Sequence, residues 1–217
     1  MESQTQSQAQ SRMQPHEAAA LVMGVARRGD AAIPGMPRWA DLGAGHGTFT
    51  EALAMLLGQG ARVHAIDRDV AAYAALLALA GRRPSGAVIV PQLADFADAR
   101  AWDTLGLRDL DGVLLANALH FVPASQQAVV LARIATSLRP GGALVLVEYE
   151  GRAPSPWVPH PVSQARLQAI VPDGWGRPRT VGACGSMFGG SIYAAEIRRP
   201  SDVAPEAPQE VEQEESS

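Results

Sequence analysis

Hydrophobic and polar positions along the chain alternate between two kinds of segment. Short apolar runs are followed each time by a longer stretch with helical spacing. Arg38-Trp39-Ala40 is the first run, and it ends in the turn Asp41-Leu42-Gly43-Ala44-Gly45-His46-Gly47. An alanine- and leucine-rich helical pattern, Glu51 to Leu57, leads out of that turn. Arg62 to Ile66 is a second run and stops at Asp67. Asp69 is then placed to cap a helix from Val70 to Ala80, with Gly81 closing it. Ala87 to Val90 ends through Pro91-Gln92-Leu93-Ala94 at Asp95-Phe96, before a weaker helix from Ala97 to Leu105. Val113 to Ala116 is the clearest buried strand, and an amphipathic helix from Ser125 to Leu138 follows it. Arg139-Pro140-Gly141-Gly142 predicts a turn into a fifth strand, Ala143 to Val147.

Short apolar strands joined by helical crossovers predict a mostly parallel sheet with helices on both faces. Ligands in such sheets bind at the edge where the strands end and the strand order reverses. The pattern changes after Glu150. Gly151 to Pro161 is Pro-rich, Ser163 to Ile170 is a short helix, and Arg179-Thr180-Val181 and Ser191 to Ile197 read as a hairpin joined by Gly182 to Gly190. At the other end, Pro15 opens a helix from His16 to Arg28, and Gly29 to Pro37 is a loop. The chain divides into a Gln/Ser-rich tail (1–14), one folded domain (15–199) and an acidic tail (200–217), with both tails expected to be disordered.

Composition narrows the function. The 217 residues suffice for one α/β domain with a substantial core. The net charge of -4 is set by the tail, where Asp202, Glu206, Glu210, Glu212, Glu214 and Glu215 face no base. The rest is near neutral, so no nucleic-acid partner is expected. All the basic residues are arginine, which excludes a Walker A loop and a Tyr-x-x-x-Lys dehydrogenase pair. Cys184, the single cysteine, cannot form an internal disulfide or build a metal site alone, so no metal is expected and the setting is read as cytoplasmic. No apolar run reaches the roughly 20 residues a membrane span needs, and the N-terminus lacks the form of a secretory signal.

The glycines at 43, 45 and 47 make a G-x-G-x-G turn between a strand and a helix. Glycine admits left-handed backbone and lets a ligand approach closely, and a new helix start offers unpaired N–H groups. By itself the turn serves a dinucleotide or a sulfonium nucleoside. A dinucleotide fingerprint needs a third glycine three residues on, and Thr48 stands there. Acids end the next two strands. Asp67 is suited to ribose hydroxyls, and Asp95 to an exocyclic amine with Phe96 beside a flat base.

With these residues the chain resembles the class I S-adenosylmethionine-dependent methyltransferases, from about Trp39 to Ile197. The Leu138-Arg139-Pro140-Gly141-Gly142 turn and the terminal hairpin belong to the likeness. So do the segments Ala116-Asn117-Ala118-Leu119-His120-Phe121, Val147-Glu148-Tyr149-Glu150 and Trp157-Val158-Pro159-His160-Pro161, which are similar to compact bacterial members. The resemblance implies a Rossmann-like, seven-stranded α/β fold whose last strand is antiparallel and inserted beside the sixth. It implies S-adenosyl-L-methionine as cofactor, held by Gly43, Ala44, Gly45 and Gly47 at its methionine and ribose parts. Asp41 would anchor the amino group, Asp67 the ribose, Arg68 and Phe96 the adenine ring, Asp95 the adenine amine, and Asn117 the methionine through its carbonyl.

Methyl transfer needs alignment and desolvation, and a base only where the acceptor loses a proton. His120, Glu148 and Tyr149 are the candidate catalytic residues, and Phe121, Trp157 and His160 the candidate substrate contacts. Three of them have a structural alternative: His120 and Glu148 as loop anchors, Trp157 as packing for the Pro-rich loop. The helix from His16 is expected to close over the site. The DNA-methylase signature Asn-Pro-Pro-Tyr is absent at Asn117, so a small-molecule acceptor is expected, with a monomer or homodimer. Two competing readings remain: a module that binds the cofactor or its demethylated product without catalysis, and a nicotinamide-dependent oxidoreductase.

Overall fold

A computed structural model describes residues 13–26, 36–186 and 189–201. Most of both tails, Arg27 and Arg28 of the first expected helix and most of the loop before Met36 lie outside the described residues. Helix α1 (Pro15–Ala26) precedes β1 (Arg38–Leu42), α2 (Thr48–Leu57), β2 (Arg62–Asp67), α3 (Val70–Arg82), β3 (Val88–Leu93), the short α4 (Trp102–Leu105), β4 (Leu110–Ala116), α5 (Gln127–Ser137), β5 (Leu138–Glu150), α6 (Gln164–Ile170), β6 (Arg179–Gly185) and β7 (Ser191–Arg198). The strands form one sheet in the order β3-β2-β1-β4-β5-β7-β6. The first five run parallel, and β7 is antiparallel between β5 and β6. The expected seven-stranded Rossmann-like sheet with its inserted last strand is therefore present. Strand order reverses between β1 and β4, which fixes where a ligand cleft opens.

Alternation along the strands buries side chains on both faces of the sheet. On β1, Ala40 and Leu42 pack on one face with α5 and α6 through Leu131, Ile134, Leu167 and Ile170. Trp39 packs on the other face with α1 and α2, through Val22, Val25 and Leu53. Ala65 meets α3 through Leu76 and Leu79.

Three local readings change. Gly81 does not close α3, which runs on to Arg82 with Arg83 in the left-handed region (φ 48°). At the other end, the expected cap is in place: Asp69 accepts from the Ala71 and Ala72 N–H groups, a contact of about 1 kcal/mol. The helix expected over Ala97 to Leu105 shrinks to a 3-10 turn (Ala99–Ala101) and one α turn, because its side chains anchor the loop instead. Thus the Trp102 Nε1–H donates to the Phe96 carbonyl at 2.8 Å. The Arg139-Pro140-Gly141-Gly142 turn is an excursion within β5: Leu110 pairs with Leu138 and Gly112 with Ala143. The excursion is sewn down by the Gly141 N–H to the Arg199 carbonyl and the Arg199 N–H to the Gly142 carbonyl.

Helix α1 crosses β6 at close range. A Cβ at Gly182 would lie 2.2 Å from the Leu21 carbonyl oxygen, so only glycine fits the crossing. Gly182→Ala is expected to lower stability by about 1–3 kcal/mol, as overpacking does, read as a shift of the denaturant midpoint at unchanged slope. An unchanged midpoint would mean that α1 does not hold this position in solution.

Candidate functional site

The glycine turn is fixed to the sheet before any ligand arrives. The Gly43 and Ala44 N–H groups both donate to the Ile66 carbonyl at the end of β2, at 2.8 and 3.0 Å. Gly43, Gly45 and Gly47 all take positive φ (73°, 53° and 91°), which a side chain would strain. Their surroundings differ. A Cβ at Gly43 would lie 2.6 Å from Ala118, and one at Gly47 2.7 Å from Leu79, so these two serve packing. A Cβ at Gly45 would meet no atom within 4 Å. Gly45 therefore presents bare backbone to open space.

That space is a cleft of about 1370 Å³ along the sheet edge where the parallel strands end. Single-ligand sites usually measure about 300–1,000 Å³, so there is room for two molecules. Its lining brings together Gly43, Ala44, Gly45, Asp67, Arg68, Asp95, Phe96 and Asn117 from the sequence-predicted set. Asp67 is clamped at the end of β2. One carboxylate oxygen accepts from the Gly45 N–H (2.7 Å) and the other from the Asp69 N–H (2.9 Å). Each oxygen keeps lone-pair capacity for a second donor. Asp95 accepts from the Ala97 N–H (2.9 Å) and pairs with the exposed Arg68 at 3.1 Å. Asn117 sits in the left-handed region (φ 52°), which asparagine tolerates, with its N–H on the Val147 carbonyl. Its Oδ1 is buried and finds no partner among the described residues.

Asp41 does not line the cleft. It is fully buried beneath the turn, its Oδ2 accepting from the Thr50 hydroxyl at 2.6 Å. Burial pushes its carboxyl from 3.8 up to about 7; the Thr50 bond opposes the shift and nearby Asp67 adds to it.

The predicted catalytic set divides. Tyr149 and Phe121 line the cleft, and His120, Glu148, Trp157 and His160 do not. His120 is 2% exposed and Glu148 is completely buried. The imidazole Nδ1 lies 2.6 Å from the Glu148 Oε2, and the His120 N–H donates to the Oε1 at 3.1 Å. In this arrangement the pair anchors the loop after β4, and it does not face a ligand. His160 contributes backbone: its N–H donates to the His120 carbonyl, and its own carbonyl accepts from the buried Gln127 amide. Trp157 is 82% exposed on a turn closed by Ser155 and Val158, so it neither packs the Pro-rich loop nor meets the cleft.

Several lining residues escaped the sequence reading. Glu17 and Leu21 of α1 cover one side, as the expected closing helix should. Ala183 and Cys184 reach the cleft from β6, along with Ser186 just beyond it, and Asp98 from the loop after β3. The glycines of the hairpin were the available signal for β6, since they mark backbone held close to another element.

Residues 40–144 match the model of a methyltransferase domain. A search of curated proteins finds no significant match. Among solved structures, the chain is similar to magnesium protoporphyrin IX methyltransferase from Synechocystis PCC 6803 with bound S-adenosylmethionine. The identity is 20% over 85% of this chain and 79% of that one, with a TM-score of 0.62. It is also similar to an N-methyltransferase from Bradyrhizobium japonicum WM9 (16% identity, 86% and 96% covered, TM-score 0.60). A third is the 1,6-didemethyltoxoflavin-N1-methyltransferase from Burkholderia thailandensis (21% identity, 86% and 80% covered, TM-score 0.54). At these identities the likeness is one of fold.

Asp41 makes stability pH-dependent in a defined direction. Its carboxyl titrates higher in the folded chain than in the unfolded one, so the native state binds the extra proton between about pH 4 and 7. Its contribution to stability therefore falls as pH rises through that window, by roughly 4 kcal/mol at most. Asp41→Asn keeps the shape and removes the titration. The melting temperature of the variant relative to the native chain is expected to climb from pH 5 to pH 8. A difference that stays flat would show that Asp41 is not held in this environment.

Proposed function

We propose that the chain is a class I S-adenosylmethionine-dependent methyltransferase that methylates a small-molecule acceptor in the cleft at the strand ends. The observation that carries this reading is Gly45 and Asp67 acting together. Bare backbone opens onto the cleft, and a carboxylate clamped by two N–H groups stands beside it. The residues fit the cofactor on their own chemistry. Asp67, Asp69, Asp95 and Asp98 line the cleft with Arg68 as the nearby cation, which suits a ligand bearing a sulfonium and an ammonium. The likeness to an enzyme whose structure holds bound S-adenosylmethionine supports the same cofactor.

In this proposal Asp67 accepts from the ribose hydroxyls. Asp95, held by Arg68 and the Ala97 N–H, accepts from the adenine amine, with Phe96 packed at the ring. Asn117 offers its backbone carbonyl and its unpartnered Oδ1 to the methionine portion. Bound there, S-adenosylmethionine would supply a methyl group on a sulfonium, open to displacement by an acceptor lone pair with the bonding electrons left on sulfur. The chain's own contribution is to align and desolvate the acceptor. His120 and Glu148 support that work from behind the cleft wall, where neither can take a proton from the acceptor directly. The small-molecule assignment rests on cleft volume and on the absence of a basic surface in the sequence.

Calorimetry with S-adenosylmethionine and S-adenosylhomocysteine tests the cofactor. Asp67→Ala is expected to weaken both roughly 10- to 100-fold, the loss of charge-assisted hydrogen bonds. Unchanged affinity would remove Asp67 from the ribose role. Turnover is read as S-adenosylhomocysteine formed with a panel of small acceptors. Tight cofactor binding with no product across the panel would favour a non-catalytic binding module.

A further inference from the structure

The sheet order sorts the cleft lining by charge. The acids Asp67, Asp69, Asp95 and Asp98 follow β2 and β3, on one side of β1. On the other side, the cleft is lined from the ends of β4, β5 and β7 by Phe121, Val122, Gln126, Tyr149 and Ile192, none of them charged. Resting on the methyltransferase reading, we propose that the acceptor is a flat, uncharged aromatic molecule held against the rings of Phe121 and Tyr149, a wall that the buried His120–Glu148 pair keeps in place.

Phe121 carries the first part of the argument. Its side chain is 49% exposed, in the cleft, although its backbone is firmly built. The Phe121 N–H donates to the Ala118 carbonyl, the Val122 N–H to the Leu119 carbonyl, and the His120 carbonyl accepts from His160. An apolar ring held exposed on a fixed loop loses little conformational entropy when a ligand covers it. Tyr149 follows on β5, one residue past the Glu148–Tyr193 pair that joins β5 to β7. The Arg152 guanidinium lies 5.0 Å from the centre of its ring and holds it from one side.

The His120 imidazole joins the two. Its centroid is 4.4 Å from Phe121 and 6.0 Å from Tyr149, both tilted contacts. Glu148 fixes that imidazole through the ring nitrogen and the backbone N–H of the same residue. His120 and Glu148 are thus positioning residues: rotation of the imidazole would release both cleft rings. Aromatic rings prefer offset or edge-on contact with another flat ring, so this wall favours a planar ligand over a puckered one of equal size. Glu17 of α1 also lines the cleft, with its carboxylate engaged by the Gln14 N–H.

The test uses the full chain saturated with S-adenosylhomocysteine, with 2-naphthol as a flat probe and decahydro-2-naphthol as its saturated, puckered counterpart. Calorimetry is expected to give roughly tenfold tighter binding of 2-naphthol. Phe121→Leu and Tyr149→Leu are each expected to bring that ratio close to one while S-adenosylhomocysteine affinity stays unchanged. Glu148→Gln keeps the imidazole and an oxygen that can accept from it and should preserve the ratio, whereas His120→Leu removes the ring and should lose it. If His120→Leu fails to fold, the two leucine variants at the cleft decide the matter. Equal binding of both alcohols by the native chain, or a preference that survives both leucine variants, overturns the proposal. The same titrations without S-adenosylhomocysteine separate the two readings. A chain that prefers 2-naphthol yet binds no S-adenosylhomocysteine sinks the cofactor assignment and supports the wall.

Discussion

The site depends on one carboxylate. Asp67 ends β2, and its two oxygens accept the Gly45 and Asp69 N–H groups. Those bonds tie the glycine turn after β1 to the start of α3, where Asp69 in turn caps the helix. A charged acceptor on backbone N–H groups is worth more than a neutral one, and here it works at the cleft lining. The turn has few other supports: α2 begins at Gly47 with no side-chain cap, and Gly45 touches nothing on its open side. Its remaining links to the sheet are the two N–H groups on the Ile66 carbonyl.

The opposite half of the cleft is held by a second acid, this one buried. Glu148 is withdrawn from water and engages both the ring and the backbone of His120. Taking ionisable groups out of water is costly, and such pairs are poor evidence for stability alone. The geometry gives this one a positional effect. It sits on the α5–α6 face of the sheet, while Tyr149 on the next residue of β5 faces the α1–α2 core. Alternation along one strand thus puts the anchor on one side and the cleft ring on the other. Asp41 occupies the corresponding place in β1, buried on the α2 side and bonded to Thr50. Acids therefore stand at the ends of β1 and β5 for different reasons, and neither Asp41 nor Glu148 lines the cleft, whereas Asp67 and Asp95 do.

Much of this was legible in the chain. Short apolar runs located every parallel strand, and the Gly, Asp and Asn residues after the first four of them line the cleft, because strand ends stand at fixed offsets from those runs. The glycine turn, Asp67 and Asp95 follow from residue type at the strand ends, and Asn117 was added by the resemblance to a known family; all of them line one cleft. The other half of the cleft was less legible. His120, Glu148, Trp157 and His160 have the residue types of a reactive site, yet none lines the cleft. Trp157 was weighed as packing and stands exposed instead.

The division has a physical reason. Local pattern determined the strands, the helices and their order, since period-2 and period-3.6 burial is written into neighbouring residues. It also fixed the turn chemistry, which depends on φ at single positions. Which face of a strand end meets the cleft was decided only in three dimensions. Glu148 and Tyr149 are adjacent in the chain and separated by the sheet. Leu21 and Gly182 are far apart in the chain, and α1 covers the cleft because their backbones nearly touch. The sequence by itself determined a Rossmann-like sheet with a glycine turn at the end of its first strand, and the tertiary packing decided what stands opposite that turn.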